Sequence, residues 1–145
     1  MKKSVKALVL AAIVASSGLA FALEGSVGVV KDRQALMGSN GGSMKALGEM
    51  VKSGTIDVAA ATAALTTLQT NAQQISVVFE TNDLTPPTKA KPEIWSDFER
   101  FKTKAAALEA AATAALAGAM DAAGLGAAMG ALGGSCQGCH EAYRL

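Results

Sequence analysis

Histidine occurs once in this 145-residue chain, cysteine twice, tryptophan and tyrosine once each, and proline three times. Each scarcity excludes something. Three cysteines and histidines in all fall short of the about four ligands that a structural zinc site needs. No paired carboxylates, nucleophile–base pair or phosphate loop occurs, so no enzymatic chemistry is expected. Gly38, Gly41 and Gly42 do not make a dinucleotide fingerprint, and no strand precedes them. Thirteen basic residues nearly balance 12 acidic ones, without the basic face that nucleic acid demands. Strand formers are sparse and alanine is abundant, which favours helix throughout.

The first residues have the composition of a secretory leader. Lys2, Lys3 and Lys6 form its positive region, Ala7 to Ala15 its apolar core, and Ala20-Phe21-Ala22 a small-residue cleavage site. The apolar run is short for a membrane span of about 20 residues, and Ser16, Ser17 and Gly18 interrupt it. Cleavage after residue 22 is expected, with export to the periplasm and a mature domain over 23–145. The leader holds three of the 13 basic residues and none of the 12 acidic ones, so the remaining 123 residues carry a formal charge of −2. No long apolar run follows, so no membrane span is expected in the mature chain.

Four segments carry the heptad-like spacing of amphipathic helices. Val30, Met37, Met44 and Val51 recur every seven residues, and Ser53-Gly54 ends that helix. Val58, Ala61, Leu65, Leu68, Ala72, Ile75 and Phe79 mark a second, with Thr55 or Asp57 as its cap. A loop from about Thr81 to Lys91 contains Asn82-Asp83 and Pro86-Pro87. Pro92 opens a third helix, whose stripe runs from Phe98 and Phe101 to Ala115 and Ala119. Gly118 and Gly124 bracket a turn, and Leu125, Met129, Leu132, Cys136, Cys139 and Tyr143 form the seam of a fourth. The expected fold is all-α, an antiparallel left-handed four-helix bundle. One weak place is Gly38-Ser39-Asn40-Gly41-Gly42-Ser43 in the first helix, where three glycines cost about 1 kcal/mol each. They mark either a break or room for a flat cofactor or a partner backbone.

Both cysteines and the one histidine fall within five positions, Cys136-Gln137-Gly138-Cys139-His140. Cys-x-x-Cys-His is the attachment signal for c-type haem. On a helix, residues three apart are displaced by about 4.5 Å along the axis and share a face. Thiols so placed can bond the two vinyl groups along one haem edge, while His140 reaches under the ring to iron. A redox Cys-x-x-Cys belongs at a helix start after a strand, and no strand pattern precedes this one. A plain disulfide leaves the adjacent histidine unexplained. The cofactor expected is one haem c, bound through two thioethers.

Taken together, these residues resemble the cytochrome c′ family, including its low-spin c-556 branch, over essentially the whole mature chain. The resemblance lies in Arg33-Gln34-x-x-Met37, Gly42-Ser43-Met44-Lys45-Ala46, Lys91-Pro92-Glu93-Ile94-Trp95-Ser96-Asp97, and the C-terminal motif with Tyr143-Arg144. C-terminal placement of the haem motif is its specific part. It implies thioethers at Cys136 and Cys139 and a proximal iron ligand at His140. It places Arg33 by a haem propionate with Gln34 assisting, where the sequence alone reads Arg33 as a solvated surface charge. Arg144 falls over the proximal side, Thr85 in a loop skirting the haem edge, and Trp95 at a bundle end.

Met37 then decides between functions. In c-556-type members a methionine here binds iron and gives a low-spin centre for electron transfer with redox partner proteins. In c′-type members the side chain only blocks the site, and five-coordinate iron binds nitric oxide or carbon monoxide. Met37 also lies on the seven-residue stripe and is apolar under either reading. A thiol redox or metal-handling protein without haem is the third class. Relatives often dimerise through the first two helices, and alanine-rich faces permit a homodimer here.

Overall fold

The computed structural model describes residues 28–85, 88–118 and 120–145. The expected leader over 1–22 lies outside them, as do Pro86, Pro87 and Ala119. Among the described residues the chain folds as the expected antiparallel four-helix bundle, with four long helices and one short turn of helix.

The first helix, α1 (Val29–Ser53), is unbroken through the glycine-rich stretch. The break considered from sequence does not occur. Gly54 stops the helix in the left-handed region (φ 71°), and its N–H donates to the Val51 carbonyl at 3.2 Å. The second helix, α2 (Val58–Val78), starts at Asp57, whose carboxylate accepts the Ala60 N–H at 3.0 Å. Its expected stripe is buried from Ala61 to Phe79, but Val58 is 51% exposed. As the first residue of the helix, Val58 stands beyond the packed layer.

The segment expected as one helix from Pro92 is two. A single turn, α3 (Glu93–Ser96), ends at Asp97, which takes φ −141° and ψ 65°. The Asp97 carboxylate accepts the Arg100 N–H at 3.2 Å and starts α4 (Phe98–Ala117). Aspartate is a poor interior residue and a good cap, because its side chain competes for nearby backbone N–H groups. The last helix, α5 (Ala122–Tyr143), is capped by Asp121, which accepts the Gly124 N–H at 2.8 Å. Gly124 therefore lies inside the helix rather than bracketing the turn.

Each of α1 and α4 packs against both α2 and α5. The core is built from Val30, Leu47, Leu65, Leu68, Leu125 and Leu132, all fully buried. Buried Ala61, Ala72, Ala105 and Ala112 let the backbones approach closely. At one end an aromatic group joins three elements. The Phe101 ring lies 5.1 Å from that of Phe79 and 5.3 Å from that of Tyr143, the latter edge-on at 84°. Trp95 donates its indole N–H to the Phe79 carbonyl at 2.7 Å, which puts it at the bundle end as expected.

Candidate haem site

The last two turns of α5 carry Cys136, Cys139 and His140, and the final turn is tied down from outside. The segment Lys89 to Lys91 runs antiparallel to the chain end, forming a bridge between Ala90 and Arg144. The Lys91 N–H donates to the Tyr143 carbonyl at 3.0 Å, and the Leu145 N–H to the Lys89 carbonyl at 2.8 Å. The Lys91 ammonium donates to the Glu141 carbonyl at 3.2 Å. These bonds satisfy groups that otherwise fray at a helix end. The end of the motif helix is therefore tied to the segment that precedes α3.

Between α1 and this turn lies a cleft of about 830 Å³, with a smaller, largely apolar lobe of about 280 Å³ beside it. Met37, Gly41, Cys139 and His140 line both, so the two are neighbouring parts of one space. Cys136 lines the smaller lobe. Met37 comes from α1 and His140 from α5, so two helices contribute to the shared lining. A Cβ built at Gly38 or Gly41 meets nothing within 4 Å. The glycines thus leave open space at the cleft they line, as room for a flat cofactor or a partner backbone requires.

Arg33 is 2% exposed, which excludes the solvated surface charge. Its Nε–H donates to the Val78 carbonyl at 2.8 Å, Nη1 to that of Asp83 at 2.7 Å, and Nη2 to that of Thr81. The guanidinium carbon also sits 4.7 Å from the Phe79 ring centroid and 5.2 Å from that of Trp95. Of its five N–H groups, three are thus committed to the end of α2 and the following loop. The other two remain for the cleft, which Arg33 lines. Burial pulls its pKa below the ordinary value, while the charge of Asp83 offsets part of that.

The remaining sequence candidates divide. Gln34 is exposed and lines the cleft. Thr85 is exposed and outside the lining; its N–H donates to the Asp83 carboxylate at 2.8 Å, within the loop that Arg33 gathers. The loop reaches the cleft three residues later, through Thr88, Lys89 and Ala90, where the bridge to Arg144 draws it in.

The electrostatics suit ligation by nitrogen and hold the thiols in their protonated form. Burial lowers the His140 pKa, and the positive charge of Arg144 lowers it further, so the neutral imidazole prevails at neutral pH. That is the form which coordinates a metal. Burial raises the pKa of both Cys136 and Cys139, and Lys104 partly offsets this at Cys139. The thiols are free and half-buried. Two thiols, one imidazole and one thioether, together with bare glycines, thus line one space of drug-to-cofactor size. This donor set fits a covalently held haem c.

Two lining residues were not anticipated from sequence. Asn40 is 6% exposed on α1, where the stripe predicts only apolar neighbours. Lys104 of α4 lines the small lobe, its ammonium 3.7 Å from a Cβ built at Gly138. A polar residue one turn from Met37 is the only sequence signal for Asn40.

Comparison with known proteins agrees with this geometry. The family model described as Cytochrome C′ matches residues 28–144. Cytochrome c-556 of Agrobacterium fabrum is 42% identical over 122 residues, covering 83% of each chain. The structure of cytochrome c′ from Rhodopseudomonas palustris superposes with a TM-score of 0.75 at 31% identity, over 81% of this chain and 95% of that one. A nitric oxide complex of a mutant cytochrome c prime from Alcaligenes xylosoxidans superposes at 0.69 with 32% identity, over 80% and 93%. A bundle with its Cys-x-x-Cys-His motif on the last helix, matched along nearly all its described length, belongs to the cytochrome c′ family.

Proposed function

We propose that this chain is an exported haem c protein that carries single electrons between periplasmic redox partners. Cys136 and Cys139 hold the haem by thioethers, His140 is the proximal ligand, and Met37 is the distal ligand. The observation that supports this reading is that Met37 of α1 and His140 of α5 line one cleft. Bound haem supplies the one-electron ferric–ferrous couple, and Met/His ligation raises its potential relative to other ligand sets. The chain's own part is to fix the two axial groups on separate, well-packed helices. Similarity to c-556 proteins at 42% identity supports the low-spin branch. Cleavage after Ala22 delivers the chain to where haem c is attached, and a mature mass beginning at Leu23 checks that step.

Gas binding is the second reading. Met37 is half-buried on three rotatable bonds, and relatives of the same fold include a nitric oxide complex. The optical spectrum of the purified ferric protein separates the two. Electron transfer expects a low-spin spectrum with the weak far-red methionine–iron band, and Met37→Ala should abolish that band and let reduced protein bind carbon monoxide. A wild-type high-spin spectrum with carbon monoxide binding overturns Met37 as a ligand.

A further inference from the structure

Asn40 stands one turn beyond Met37 on α1, a spacing that makes them neighbours on one helix face. It is 6% exposed and lines the small lobe among Met44, Ile75 and Leu108. Its Oδ1 accepts the Asn71 Nδ2–H at 2.9 Å, and Asn71 also donates to the Ser39 hydroxyl at 3.0 Å. With the oxygen held toward α2, the carboxamide plane turns Nδ2 the other way. That amide has no acceptor among the described residues and is not sealed in the core, so it meets the open space of the lobe that Asn40 lines. An amide open to an otherwise largely apolar lobe is free to donate to an acceptor that enters it. Met37 supplies one in the same lobe, because its thioether sulfur is a weak acceptor on a side chain that adapts readily.

We propose that Asn40 is a second distal residue, whose amide N–H donates to the Met37 sulfur when that sulfur is bonded to iron. The inference rests on the ligation of iron by Met37 proposed above. The sign of the effect follows from charge. A donor on the spare lone pair of sulfur draws density away from iron, and ferric iron, with the higher charge, loses more by it. Asn40 therefore raises the midpoint potential and loosens Met37 toward displacement. Asn71, which holds the Asn40 oxygen, is a positioning residue.

The test compares wild-type holoprotein with Asn40→Leu, a near-isosteric change that removes the donor. The ferric variant is expected to keep the far-red methionine–iron band. Its midpoint should fall by up to a tenfold change in the ferric–ferrous ratio, which is 59 mV for one electron. Carbon monoxide affinity of the reduced variant should fall with it, because Met37 then holds iron more tightly. If Asn40→Leu does not fold, Asn71→Ala serves instead, untying the carboxamide and shifting the midpoint the same way by less. A retained band with an unchanged or higher midpoint overturns the role of Asn40 and leaves Met37 ligation standing. Absence of the band from the wild type overturns both.

Discussion

At the scale of single residues, Arg33 has the least replaceable set of contacts. Its guanidinium donates to three backbone carbonyls, at the end of α2 and in the following loop. Replacing it with leucine removes all three bonds at once, at about 1 kcal/mol each. We expect Arg33→Leu to lower stability by on the order of 3 kcal/mol, read as a drop in urea midpoint at unchanged slope. A loss under about 0.5 kcal/mol would place the carbonyls in water instead. The sequence could not reveal this role. An arginine fork usually pairs with carboxylate or phosphate, and the partners here are main-chain atoms 45 to 50 residues away. By contrast, Cys136, Cys139 and His140 were legible because their spacing is local and one helix turn fixes their relation.

At the scale of elements, the aspartate caps and the glycines make opposite predictions. Asp57, Asp97 and Asp121 each accept a backbone N–H at a helix start. Asp97→Ala should cost about 1 kcal/mol. The loss should be local, with amide exchange quickening at Phe98 to Phe101 before the rest of α4. Uniform protection across α4 in that variant refutes the cap. Gly41→Leu tests the cleft. A Cβ at this position meets nothing within 4 Å, so thermal stability of haem-free chain should rise by up to about 1 kcal/mol from helix propensity alone. Haem loading, measured by mass, should fall at the same time. Unimpaired loading places the cofactor elsewhere. Apolar spacing revealed the four long helices, since each buries one face and the period is imposed by that burial. It missed the interruption at Asp97 because the stripe begins only at Phe98 and says nothing about the turn before it. The pair Ser96-Asp97, both favoured caps, was the available signal.

At the scale of the whole molecule, the bundle end is closed by residues that belong to no helix. Arg144 and Leu145 carry the bridge to Ala90 and the bond to Lys89. Removing both residues should cost about 1–2 kcal/mol, from two lost backbone interactions. Limited proteolysis should then cut first near Thr88 to Lys91. Cleavage elsewhere first shows that the strap does not depend on the chain end. Neither partner of this strap carries a strand pattern, and pairing of two short segments some 50 residues apart leaves no periodic trace. The antiparallel bundle itself was legible because four stripes joined by short loops admit few other packings.

The strap has a practical consequence for anyone handling the protein. Arg144 lines the cleft, and Leu145, 76% exposed, is the next and last residue. A bulky affinity tag fused after Leu145 therefore starts beside the cavity, where it can cover the lining to which Arg144 contributes and alter whatever is recorded there.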